Sequence, residues 1–157
     1  MNISIYIFFL LNIFVLGWYL HIEKVMAPLV RIGCYLISFI FVHDWTNILA
    51  SNLNYLELPN KLSLNLIFVM NKVILLPIAS ILLLEVFLQE KNYVKKIIVI
   101  IIGTLIMVCL DYSNSWLKII QYHHWGMEKS LLLWFCFGNL LYGLLHLFIY
   151  LEKKENP

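Results

Sequence analysis

The chain has 157 residues, of which 62% are hydrophobic and 13% charged, with a mean hydropathy of +0.87 and a formal net charge of +2. Soluble domains run nearer about 45–50% apolar and about 25% charged, so this composition excludes an ordinary water-soluble fold. The small net charge leaves no basic footprint for nucleic acid, and the length allows one bundle with no separate soluble domain.

A helix crossing about 30 Å of hydrocarbon needs about 20 residues. Polar interruptions at His21–Lys24, Ser51–Lys61, Gln89–Lys96 and Asp111–Ser130 leave five apolar runs. They predict spans at about 2–20, 28–50, 62–88, 93–112 and 131–151. The runs do not alternate apolar with polar, and they are too long for barrel strands. The expected fold class is all-α. It is a polytopic membrane helix bundle of about five transmembrane helices plus a short outer interfacial helix, forming a single transmembrane domain over 1–157.

The first run has no basic region ahead of it and no small-residue cleavage site before Lys24, so it reads as an uncleaved span. Asn12 is the polar residue near its middle, and Trp18 and Tyr19 mark its inner end at headgroup level. In the second run Pro28 suits the first helical turn, and Arg31 is placed to snorkel toward the inner surface. The third run carries Asn65, Asn71, Lys72, Pro77 and Glu85. Pro77 has no N–H to give, which frees the Val73 carbonyl and predicts a kink.

The uncharged stretch of the fourth run, Ile97–Leu110, covers roughly 21 Å at about 1.5 Å per residue. That is short of the hydrocarbon thickness and puts Asp111 about 9 Å below the outer boundary. Beyond it, Trp116, Ile119, Ile120 and His123 or His124 follow helical spacing. Ser113 or Ser115 is a candidate cap and Gly126 a candidate stop. This predicts a short amphipathic helix over Ser115–His124 lying in the outer headgroup layer.

The same depth arithmetic brings His43 and Asp44 of the second run and Lys72 of the third to the level of Asp111, with Asn139 of the fifth within a turn. A charge in hydrocarbon costs at least about 2.5–3.5 kcal/mol, which an inward-facing pair largely removes. Asp44, Lys72, Asp111, His43 and Asn139 are therefore the candidate polar pocket, with Asp111 the expected partner of Lys72. The alternative is an internal ion pair that fixes helix packing. Arg31 and Glu85 are matched in the same way near the inner side.

Lys and Arg divide seven to four. Lys24, Arg31, Lys91, Lys95, Lys96, Lys153 and Lys154 lie on one side; Lys61, Lys72, Lys118 and Lys129 lie on the other. The positive-inside rule then predicts an outside N-terminus and an inside C-terminus in the cytoplasmic membrane. Cys34, Cys109 and Cys136 lie in apolar runs without a CxxC, as packed thiols do. His21 and His146 lie toward the inside and His43, His123 and His124 toward the outside, but the inner level is too ragged for paired haems. His43, Asp44, His123 and His124 have ligand chemistry for a metal, but adjacent histidines diverge on a helix. No cofactor and no metal are expected.

Glu57-x-Pro59-x-Lys61, Pro77, Asp111-Tyr112 and Ile120-x-Tyr122-x-His124-Trp125 occur in that order. In this the stretch from Leu56 to Tyr150 resembles an uncharacterised family of small polytopic integral membrane proteins of spore-forming Gram-positive bacteria. That family usually has Glu at Asp111, Arg at Lys61 and a further histidine near Gly126 or Met127. The resemblance implies a multi-span membrane protein without an established activity, and it assigns no catalytic residues. The function expected is a structural or accessory component of the cytoplasmic membrane, meeting the lipid bilayer and a protein partner or second copy. The alternatives are a small carrier using the polar pocket and an outer-leaflet enzyme using His43, His123 and His124.

Overall fold

The computed structural model describes residues 3–155, with side chains described over 5–154. Asn2 of the first expected span and Asn156 and Pro157 of the tail lie outside the described residues. Among the described residues five helices make up the fold: α1 (Ile3–His21), α2 (Pro28–Asn52), α3 (Leu62–Gln89), α4 (Tyr93–Trp116) and α5 (Met127–Glu155). Four of them, α2 to α5, are long and apolar enough to cross a membrane, and Ile5–His21 of α1 is a shorter apolar helix.

Local chemistry sets several boundaries. Pro28 opens α2 in its first turn, where a missing N–H costs nothing. The Asn92 side chain accepts from the Val94 N–H at 2.8 Å and caps α4. The short turns at 22–27 and 90–92 share one end of the bundle, the turn end. The connections at 53–61 and 117–126 share the other, the cap end.

α3 is the central helix. Its apolar window is 61% buried, against 17–28% for α2, α4 and α5. α1, α2 and α4 pack on α3, and α5 closes against α4 and α2. Gly103 lets α4 approach α3: a β-carbon there would meet Leu83 at 3.2 Å. Between α2 and α5 the rings of Phe41 and Phe137 stack at 3.9 Å.

The expected disturbance at Pro77 takes the form of a single π turn, Asn71–Leu75. The Val73 carbonyl freed by the proline accepts a hydrogen bond from the Tyr35 hydroxyl of α2 at 2.8 Å. A backbone defect in α3 is thus satisfied by a neighbouring helix, as apolar surroundings require.

Many large apolar side chains face outward, and several amides and two charges are buried inside. Leu29, Leu62, Ile97 and Leu132 are more than half exposed, while Asn12, Asn71, Lys72, Glu85 and Asn114 are buried. Water as the surrounding solvent would favour the reverse arrangement; this one suits a multi-pass membrane protein.

The expected surface helix over Ser115–His124 does not form. α4 runs on through Trp116, past the expected end near Tyr112, and closes at Lys118, whose φ is 56°. The Lys118 N–H reaches the Ser115 carbonyl and the Ile119 N–H reaches the Asn114 carbonyl, both at 2.9 Å. This is a Schellman closure with lysine in the left-handed position that glycine usually holds. Beyond it a short strand β2 (Gln121–Tyr122) pairs antiparallel with β1 (Leu56–Glu57), in register Leu56 to Tyr122 and Glu57 to Gln121. The His123 N–H extends the pairing to the Tyr55 carbonyl at 2.7 Å. A lone helix of about ten residues is marginal. The partner strand lies far away in sequence and supplies backbone bonds that no local pattern announces. Ile119 and Ile120, which suggested an apolar helix face, are both buried beneath this cap.

Candidate functional site

Beneath the cap lies a small cleft of about 30 Å³, where α2, α3, α4, α5 and the strands converge. Lys72 and Asp111 line it, with Trp45, Asn71, Asn114 and Tyr122. Such a volume fits about one or two waters, whereas small-molecule pockets run to about 300–1,000 Å³.

Asp111 sits near the end of α4 and collects three donors. The Tyr122 hydroxyl donates to Oδ1 at 2.8 Å. The Ser130 hydroxyl and the Trp134 indole N–H donate to Oδ2 at 3.2 Å and 3.3 Å. Ser130 in turn accepts from the Trp125 indole at 2.8 Å. One carboxylate therefore ties together α4, the cap and the start of α5. Burial and the facing Asp111 carboxylate push the Tyr122 phenol well above its usual range, so it stays a donor at ordinary pH.

Lys72 does not pair with Asp111. No carboxylate among the described residues lies within 4.0 Å of its ammonium. The ammonium instead stands 5.3 Å from the centre of the Phe68 ring, a cation–π contact. Lys72 and Asp111 do line the same cleft. Asp111 is nevertheless already taken by the neutral donors Tyr122, Ser130 and Trp134, which no local sequence pattern brings to it.

The other three candidates do not line the cleft. Asp44 and His43 are exposed on α2. His43 stacks on Phe39 with ring centres 6.0 Å apart, and its Nε2 lies 3.0 Å from the Asn47 amide. Asn139 is exposed and donates to the Phe135 carbonyl of its own helix at 2.7 Å. His123 meets Glu57 at 3.3 Å across the strand pair, and the ring of His124 lies 6.3 Å from that of Tyr55. Among the described residues no three His, Cys, Asp or Glu side chains gather closely enough to hold a metal ion.

Two further polar constellations were not assembled by sequence reasoning. The first is a ladder of buried amides. Asn71 accepts from Asn12 of α1 at 2.9 Å and donates to Asn114 of α4 at 2.7 Å. Asn12 and Asn71 stand as polar residues inside apolar runs, but Asn114 falls in the polar interruption Asp111–Ser130. The second surrounds Glu85, whose side chain is fully buried at the turn end. Its Oε2 accepts the Val25 and Met26 N–H groups at 2.7 Å and 3.0 Å. Its Oε1 accepts Arg31 Nε at 2.9 Å, and Arg31 Nη2 donates to the Met26 carbonyl at 2.6 Å. The matched depth of Arg31 and Glu85 was legible; the clamp on the α1–α2 turn was not.

No protein-family model, no curated protein and no solved structure matches this chain.

Proposed function

We propose that this chain is a five-span integral protein of the cytoplasmic membrane with a structural or accessory role and no chemistry of its own. The observation that carries this reading is the fate of the buried polar groups. Glu85 accepts from Arg31 and from backbone, Asp111 accepts from three side chains, and Asn12, Asn71 and Asn114 bond in a ladder, which is what helix packing requires in a medium without water. The cleft is far below the size of an ordinary substrate site. An accessory role implies a protein partner or a second copy in the membrane. The resemblance to small membrane proteins of spore-forming bacteria supports a role in the envelope or in spore biology.

The orientation that goes with this reading has the N-terminus outside and the C-terminus inside, from the seven-to-four split of basic residues. A cysteine introduced at Lys153 is expected to resist an impermeant thiol reagent in intact cells and to react once the membrane is opened. Labelling in intact cells overturns the orientation.

A carrier is the second reading, and one observation favours it. Among the described residues the Lys72 ammonium has no ion-pair partner, and the Trp45 indole N–H is buried without an acceptor. Both line the same cleft. Lys72→Met separates the two readings. Replacing an unpaired buried charge by an apolar chain of similar length is expected to leave stability unchanged or raised, by up to about 1 kcal/mol. In the accessory reading the variant also keeps the wild-type phenotype of the cell. A folded Lys72→Met protein that fails to complement a deletion strain puts the carrier first.

A further inference from the structure

α1 and α2 both pack on α3 and make far fewer contacts with each other. Between them runs an open groove of about 360 Å³ near the turn end. Tyr19 forms one wall, Pro28, Ile32 and Tyr35 the other, and Ile78 and Ile81 of α3 the floor. Its walls are apolar along its length, and its charges gather at the turn end. Arg31 lines the groove, and the Lys24 ammonium stands 5.1 Å from the centre of the Tyr19 ring.

Arg31 is held in place from behind. Its Nε goes to Glu85 and its Nη2 to the Met26 carbonyl. Its Nη1 has no acceptor among the described residues, so the guanidinium is fixed with one face still able to donate. Lys24 is exposed and makes no ion pair among the described residues. An apolar trough ending in a fixed guanidinium and a free ammonium complements a molecule with an acyl chain and an anionic head. Basic pockets between membrane helices bind phospholipid head groups on this principle.

We propose that the groove between α1 and α2 holds one acyl chain of an anionic phospholipid, with the lipid phosphate at Lys24 and Arg31. The inference rests on the bilayer reading above but not on which leaflet meets the turn end, so a wrong orientation leaves it standing. The ring of Tyr19 then lies beside the first carbons of the chain, and Ile78 and Ile81 beneath them.

The test is thermal unfolding of the purified full chain in a neutral detergent, titrated with phosphatidylglycerol, phosphatidylcholine or inorganic phosphate. Lys24→Gln and Ile32→Trp are the informative variants, because both positions are exposed and neither belongs to the Glu85 clamp. For the wild type, phosphatidylglycerol is expected to act at roughly fivefold lower concentration than phosphatidylcholine, the worth of about one basic contact. Lys24→Gln is expected to remove most of that preference. Ile32→Trp fills the groove and is expected to weaken both lipids. Inorganic phosphate is expected to do nothing. Equal response to the two lipids in the wild type, an undiminished preference in Lys24→Gln, or a full effect of phosphate alone each overturns the proposal.

Discussion

Glu85→Leu is expected to lower stability by about 3–5 kcal/mol, the largest loss from any single substitution considered. The cost has two parts. Arg31 loses the acid that neutralises it, and breaking a buried ion pair from one side typically costs that much. The Val25 and Met26 N–H groups also lose their acceptor. A double change of Arg31→Met with Glu85→Leu removes the stranded charge but leaves both backbone donors unpaired. It is therefore expected to recover only part of the loss, leaving about 2–3 kcal/mol. Equilibrium unfolding in mixed micelles measures both variants. Full recovery in the double variant would show that the carboxylate acts on Arg31 alone and that the clamp on the turn is without energetic weight.

The second large effect is at Asp111. Asp111→Leu orphans three donors at once: the Tyr122 and Ser130 hydroxyls and the Trp134 indole. Each unsatisfied buried donor costs about 1–3 kcal/mol, and because they share one site the sum is expected near 3–4 kcal/mol. Asp111→Asn keeps one acceptor oxygen and is expected to cost about half as much. Lys72→Met is the discriminating second change. With no ion pair between Lys72 and Asp111, the double variant is expected to be as unstable as the two single changes combined. Rescue of Asp111→Leu by Lys72→Met would establish the direct pair that depth arithmetic alone suggested.

Both sites explain why depth along a span was legible and partnership was not. Rise per residue and hydrocarbon thickness place a residue along one axis only. That sufficed to match Arg31 with Glu85, which do pair, and Lys72 with Asp111, which do not. The rotation of each helix about its axis decides which groups face each other, and that rotation is set by packing around α3. Span lengths put Asp44 and His43 at the expected level of Lys72, yet both are exposed on α2 while Val42, beside them, is buried. Asn139 likewise turns outward while Phe137, two residues before it, stacks on Phe41.

The sequence by itself determined the apolar character of the chain, its all-α class and most of the limits of its long helices. These follow from lengths of uncharged run and from single-residue chemistry such as Pro28 at a helix start and Pro77 within one. It also determined that polar residues inside those runs need partners, because hydrocarbon offers none. Only the tertiary structure decided which partners they take. The Val73 carbonyl goes to Tyr35, Asn71 joins Asn12 to Asn114, Asp111 holds the cap, and Glu85 grips a turn some sixty residues away. The segment after α4 shows the same division most plainly. Its helical spacing is a local property, but its backbone bonds go to Tyr55, Leu56 and Glu57, and strand pairing depends on a partner that no local window contains.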